Sequence, residues 1–345
     1  MGENPVNRIE NAPSLRRDDA DLAAAREGDH AAFTRLIAPI RGPLHAHCYR
    51  MLGSVHDADD AVQEALLRAW RGLHAFEGRS SVRTWLFTVA TRVCLDLSTA
   101  RARRALPIDL SPASELVDLE AQPSTEIAWI TPYPDTDPTQ HALRRESLEL
   151  AFIAALQHLP GNQRAALLLA DVLGFSAAEI AGVMSTTATS VNSALSRARR
   201  TLVARDLRAE EPWSTEPADD GGLRRLAAQF AVALETGDLD TFVSLLTDDV
   251  TWTMPPLTTW YQGVAAVAAF AHEVPMTRCP SWRHTLLTVN GGQPAIAFYL
   301  GADPVADHMA WAIAVLETRS SRIASITSFI EPELFPRFRL AAHFR

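Results

Sequence analysis

The stretch from Thr187 to Arg200, TATSVNSALSRARR, carries the side chains best suited to nucleic acid. On a helical projection Ser190, Ser193 and Arg197 share one strip, with Asn192, Ser196, Arg199 and Arg200 beside it. Hydroxyls, an amide and guanidinium groups are the donors and acceptors that meet base edges and phosphates in a major groove. The opposite face, Val191, Leu195, Ala198 and Leu202, is apolar, as a packed helix requires. Just upstream, Ser176 and Glu179 form an S-x-x-E capping box, so a helix starts there and runs through Ile180 to Met184. Ser185-Thr186-Thr187 is then a tight turn, with Thr187 as N-cap of the second helix. This pattern predicts a helix-turn-helix over about residues 176–197, with an αα-hairpin bearing a solvated basic face as the bland alternative. Ser185 stands where such turns commonly carry glycine.

A second candidate surface lies in HDADDAVQEALLRAWRGL, residues 56–73. Ala58, Ala61, Val62, Ala65, Leu66, Ala69 and Leu73 recur at helical spacing and mark a buried face. Asp57, Asp60, Gln63, Glu64, Arg68 and Arg71 mark the other, with acids in the first turns where the helix dipole favours them. Leu67 interrupts that polar face. A lone leucine ringed by charges suits docking on another protein, although single exposed apolar residues also occur on ordinary surface helices.

The next segment, VRTWLFTVATRVCLDLSTARARR, predicts a helix whose core stripe is Val82, Trp85, Leu86, Val89, Ala90, Val93 and Leu97. Phe87 falls on the polar face with Arg83 and Arg92, either packing on a neighbouring helix or offering its ring to an unstacked base. Arg101, Arg103 and Arg104 at its end suit phosphates and equally suit the negative end of the helix dipole.

The elements that position these groups follow from composition and charge. The chain has 345 residues, an apolar fraction of 47% and a net charge of −9, enough for two or three domains. Every basic side chain is arginine, as a GC-rich genome would produce. Charge is partitioned: residues 1–105 carry +2, 106–142 carry −7 with no arginine, 143–208 carry +3, and 209–345 carry −7. Only the two basic blocks suit an approach to nucleic acid. No apolar run approaches the roughly 18 residues of a membrane span, and the polar N-terminus lacks a signal-peptide core, so a cytoplasmic, membrane-free protein is expected. Three cysteines, Cys48, Cys94 and Cys279, are too few and too scattered for a disulfide framework or metal cluster. No metal or cofactor is expected.

Residues 1–18 read as disordered, 19–105 as a first helical domain with a bend at Pro39 and Pro43, and 106–142 as an acidic, proline-rich linker. Within that linker Ile127, Trp129, Ile130 and Tyr133 form an apolar knot expected to dock. Residues 143–208 form a second helical domain, 209–220 a further linker, and 221–345 an α+β domain. In the last, helices at 223–234 and 239–246 precede strand-like runs at Val250, His284, Ala295, Met309 and Arg322. Trp252, Trp260, Tyr261, His272 and His308 are its candidate pocket residues, along with His284 and Trp311.

Three of these segments resemble one family in order. HDADDAVQEALLRAW is similar to the core-binding helix of region two of bacterial RNA polymerase sigma factors. RSSVRTWLFTVATRVCLD resembles the adjoining promoter-melting and minus-ten-reading segment. LPGNQRAALLLADVLGFSAAEIAGVMSTTATSVNSALSRARRTL resembles region four, which reads the minus-thirty-five element. Regions two and four without region three indicate the extracytoplasmic-function (ECF) group, and TWTMPPLTTWYQG resembles its members with a C-terminal SnoaL-like domain. The implied architecture is two all-α domains followed by a cone-shaped α+β barrel.

The resemblance implies that Asp57, Asp60, Gln63, Glu64, Leu67 and Arg68 dock on the β′ coiled coil of core RNA polymerase, with the β subunit as a further contact. It implies minus-ten contacts from Arg79, Ser80, Ser81, Arg83, Phe87 and Arg92, the loop at 78–81 capturing a flipped base. It implies minus-thirty-five contacts from Thr187, Ser190, Asn192, Ser193, Ser196, Arg197 and Arg200. The acidic linker would thread the polymerase cleft, and the C-terminal domain, with a small-molecule ligand as a candidate partner, would modulate activity in cis. Asp248 and Asp249 match no catalytic position of related cyclases and isomerases, so a regulatory module is expected in preference to an enzyme. The competing functions are a polymerase-independent helix-turn-helix regulator, and an isomerase or cyclase tethered to a DNA-binding half.

Overall fold

The computed structural model describes residues 12–100, 103–135, 149–204 and 220–344. The chain divides into two compact units, each assembled from separate stretches: residues 1–52, 56–101 and 160–198 form one, and 53–55, 102–159 and 199–345 the other.

The first unit is helical: α1 (Ala12–Arg26), α2 (His30–Leu52), α3 (Val55–Gly72), α4 (Val82–Ala100), α6 (Gly161–Leu167), α7 (Ala177–Val183) and α8 (Ala188–Ala204). The helix α5 (Leu150–Gln157) belongs to the second unit. Helix α1 begins inside the segment expected to be disordered; residues 1–11 lie outside the described part, as do Arg101 and the expected linker up to residue 219. Pro39 and Pro43 do not interrupt α2. Phe33, Leu36 and Ile37 before them and Leu44, Cys48 and Met51 after them are all buried. Packing on both sides therefore outweighs the helix-breaking cost of about 3 kcal/mol per proline.

Helix α4 buries a face rotated from the one periodicity indicates, sharing Leu86, Ala90 and Val93 with the predicted stripe. Leu86, Phe87, Ala90, Thr91, Val93 and Cys94 are buried, while Val82, Trp85, Val89 and Leu97 are only partly so. Two apolar stripes run along this helix, and the core polar pair decides between them. His47 Nε2 lies 2.9 Å from Thr91 Oγ1 with both side chains buried, and Phe87 packs edge-on to the His47 ring at 5.4 Å. Burial holds the His47 pKa down at about 3, so the ring is neutral and fits an apolar interior. Nearby, the buried Arg164 of α6 donates to the Met51 carbonyl at the end of α2.

The second unit contains α9 (Asp220–Thr236), α10 (Leu239–Ser244) and α11 (Val264–Glu273) against one seven-stranded sheet. Its strands are β1 (Leu246–Thr253), β2 (Trp260–Gln262), β3 (Ser281–Val289), β4 (Gln293–Gly301), β5 (His308–Arg319), β6 (Arg322–Phe329) and β7 (His343–Phe344). The order is β2-β1-β6-β5-β4-β3, with β7 added beside β5; only β1 and β6 run parallel. Every predicted strand is present, and α11, β2 and β7 are additions that the sequence pattern left unread.

The linker docks. Trp129, Ile130 and Tyr133 of the apolar knot are buried. Tyr133 and Asn290 exchange backbone and side-chain hydrogen bonds of 2.8 and 2.6 Å at the β3–β4 turn. Asn290 sits at φ 53°, a left-handed conformation that asparagine tolerates better than most residues. Asp109 and His158, both partly buried, pair at 2.7 Å.

Candidate functional site

On α3 the predicted faces separate cleanly at most positions. Ala58, Ala61, Val62, Ala65 and Ala69 are buried, whereas Asp60, Gln63, Leu67, Arg68 and Arg71 are exposed. Leu67 is 44% exposed. Beside it Arg68 pairs with Glu64 at 2.7 Å and with Asp96 of α4 at 3.1 Å, which fixes a charged frame around an apolar centre. Asp57 departs from this face: it is only 7% exposed and has partners inside the fold.

In the loop before α4, Gly78 adopts φ 72° with open space around it, and Arg79, Ser80 and Ser81 are exposed. Ser81 Oγ accepts the Thr84 N–H at 3.0 Å and so opens the helix. Arg83 is exposed and stacks over the Phe87 ring at 5.5 Å. Phe87 itself is fully buried, so its ring is a core element and is not presented to a base. Arg92 is also committed: it donates to the carbonyls of Val183 (2.9 Å) and Gly182 (3.1 Å) at the C-terminal end of α7, where a helix favours a cation.

Helices α7 and α8 form the predicted helix-turn-helix. Ser176 and Glu179 cap α7 reciprocally, with the Ser176 N–H 2.8 Å from Glu179 Oε2 and the Glu179 N–H 3.3 Å from Ser176 Oγ. Thr187 Oγ1 accepts the Ser190 N–H at 3.2 Å. Ser185 adopts φ 53°, the conformation glycine would supply at lower cost. Val191, Ala194, Leu195, Ala198 and Leu202 are buried. Ser190, Asn192, Ser193, Ser196, Arg197 and Arg200 are exposed together along the outer face of α8.

The second unit contains a half-open cavity of about 380 Å³. Trp252, Phe270, Trp282, Phe298 and Trp311 line it with aromatic surface, and Tyr261 contributes a hydroxyl. The indole N–H groups of Trp252 and Trp282 are taken by Ser328 Oγ (3.0 Å) and the Pro275 carbonyl (2.8 Å). Asp118 is the only carboxylate among the lining residues, and it comes from the linker.

Family models for sigma-70 region 2, sigma-70 region 4 and a SnoaL-like domain match residues 36–104, 149–202 and 226–326. The ECF RNA polymerase sigma factor SigG of Mycobacterium tuberculosis is 40% identical over 339 residues, covering 95% of this chain and 88% of the relative. The chain belongs to the ECF RNA polymerase sigma factors. SigJ of the same species is 34% identical over 215 residues, 62% of each chain. The crystal structure of Mycobacterium tuberculosis SigJ matches with a TM-score of 0.57 at 26% identity, covering 88% of this chain and 98% of that one. The relatives are sigma factors, not enzymes. No helix among the described residues is long and apolar enough to cross a membrane.

In this sigma factor the candidate pocket residues divide. Trp252, Tyr261 and Trp311 line the cavity. Trp260 does not: it is buried, and its indole N–H donates to the Ser111 carbonyl at 2.8 Å. His272 is exposed on α11 outside the lining. His308 is buried between Ser281 Oγ and the Ala306 carbonyl, both at 2.9 Å from its ring nitrogens, with the ring packed on Gly301. Aromatic type alone does not separate cavity walls from core. Asp249 pairs with Arg319 on the surface and is not among the residues that line this cavity. Sequence reasoning missed Asp118, Leu119 and Ala121 as cavity-wall residues; the alternation Leu116-Val117-Asp118-Leu119 inside an otherwise polar linker was the available signal.

Proposed function

We propose that this sigma factor recruits core RNA polymerase in the cytoplasm through the exposed face of α3, with the β′ coiled coil as the partner of Asp60, Gln63, Glu64, Leu67 and Arg68. Asp57 supports that face from within the fold. The observation that carries the reading is Leu67, a large apolar side chain held in the open by a frame of ion pairs. Such a group loses little by exposure alone but gives a partner an anchor that desolvates on contact. Leu67→Arg is expected to abolish co-purification with core polymerase while circular dichroism and thermal midpoint stay unchanged. Normal binding by that variant would reduce α3 to a surface helix.

Promoter recognition then falls to two surfaces. The loop of Arg79, Ser80 and Ser81, with Arg83, contacts the minus-ten element, and the outer face of α8 reads the minus-thirty-five element in a major groove. Phe87 and Arg92 serve this from behind, as packing and as a tie between α4 and α7. The C-terminal domain regulates in cis, supported by the docking of the linker on it. Asn290→Gly keeps the left-handed backbone and removes the side-chain bonds to Tyr133 and Gln293. It is expected to change promoter-specific output in a purified system; unchanged output across promoters would refute the regulatory role of the docked linker.

A further inference from the structure

The linker does more than touch the C-terminal domain. Its residues 111–124 run along β2 and the turn before it, held by a series of hydrogen bonds. The Trp260 indole N–H donates to the Ser111 carbonyl at 2.8 Å, and the Ser114 N–H donates to the Trp260 carbonyl at 2.8 Å. The Asp118 N–H donates to the Tyr261 hydroxyl oxygen at 3.1 Å, the Thr259 hydroxyl donates to the Asp118 carboxylate at 3.2 Å, and the Ser124 N–H donates to the Pro256 carbonyl at 2.9 Å. Between those anchors Asp118, Leu119 and Ala121 close part of the cavity wall. The cavity is thus a composite of barrel and linker, and its shape exists only while the linker is docked.

The chemistry of the walls specifies the occupant. The volume of about 380 Å³ lies within the range of small-molecule sites, and the surface is mostly aromatic and aliphatic. The indole N–H groups of Trp252 and Trp282 are already satisfied within the wall. The Tyr261 hydroxyl accepts from Asp118 and retains its own proton as a donor. Flat apolar surface, with the Tyr261, Thr259 and Ser328 hydroxyls and the Arg278 guanidinium among its lining groups, suits a ring-bearing, largely apolar molecule that carries an oxygen acceptor.

We propose that the cavity binds such a molecule and that linker residues 118–121 are part of the site, so that ligand occupancy locks the linker onto the C-terminal domain. A ligand that binds only the docked state multiplies the docked-to-undocked ratio by 1 + [L]/Kd. The inference rests on the regulatory reading for its consequence in transcription, but the binding linkage stands without polymerase. Its test therefore contains none, and failure of either is recognisable separately.

The probe is 2-naphthol, titrated into the full chain by calorimetry, with hydrogen exchange read on peptides spanning residues 112–126. At ten times its Kd the probe is expected to slow exchange at Ser114, Asp118 and Ser124 by up to about 11-fold. Leu119→Asp, at a position 47% exposed, places a carboxylate on the wall. It is expected to weaken the probe by about tenfold or more. Absence of binding to the native chain would overturn the proposal. Binding that leaves linker exchange unchanged, or speeds it, would overturn it as well, as would equal affinity for Leu119→Asp.

Discussion

Leu67 and Arg197 illustrate how single side chains divide the work. In the proposed function Leu67 serves as an exposed apolar anchor, whereas Arg197 offers a planar fork of donors that can pair bidentately with guanine. Ser193, one turn before Arg197 on the exposed face of α8, offers a hydroxyl that accepts or donates. Arg197→Ala or Ser193→Ala is expected to cost about 1–3 kcal/mol at one minus-thirty-five position if the contact is to a base edge. A selection from randomised promoters checks this, and an unchanged sequence preference would remove the residue from the reading surface. These residues were legible because exposure followed from the helical period. Phe87 and Arg92 were not. A buried His47–Thr91 hydrogen bond and two carbonyls at the end of α7 determine their fates, and neither partner is adjacent in sequence.

At the scale of elements, caps and periodicity made α3, α7 and α8 readable, because each carries a strong local signal. The linker was harder. Its proline and acid content reads as loop, and its docking is made largely by backbone groups, which composition does not encode. A second attachment follows the same pattern on the C-terminal side of residues 136–148, which lie outside the described part. The Leu150 N–H donates to Gln293 Oε1 at 2.8 Å, and the Ala151 N–H donates to Glu317 Oε1 at 3.0 Å. Burial, and then the neighbouring Glu149 carboxylate, push the Glu317 pKa up to about 7. A carboxyl raised above its unfolded value contributes stability at low pH that is lost as pH rises through the folded pKa. The start of α5 is therefore expected to hold to β5 more firmly near pH 5 than near pH 8, by at most about 3 kcal/mol. Glu317→Gln should flatten that dependence in a pH series of thermal midpoints or of exchange at Leu150 and Ala151. A pH response unaffected by the substitution would place its source elsewhere.

For the whole molecule, the partition of charge is the most informative sequence property. The two basic blocks coincide with the matches to sigma-70 regions 2 and 4, and the acidic linker and C-terminal block carry −7 each. Two acidic segments dock on one another here through hydrogen bonds and apolar contacts, so charge complementarity is not what joins them. That arrangement keeps the docked acidic linker and a ligand-sized cavity in one unit. The account as a whole stands on promoter-directed initiation. The direct measurement is run-off transcription by purified core polymerase on promoter libraries, with and without the full chain. Discrete transcripts from a shared promoter sequence, dependent on the chain and lost with Leu67→Arg, are the expected result. Output identical with and without the chain, or specific DNA binding that proceeds without any effect on polymerase, would contradict it.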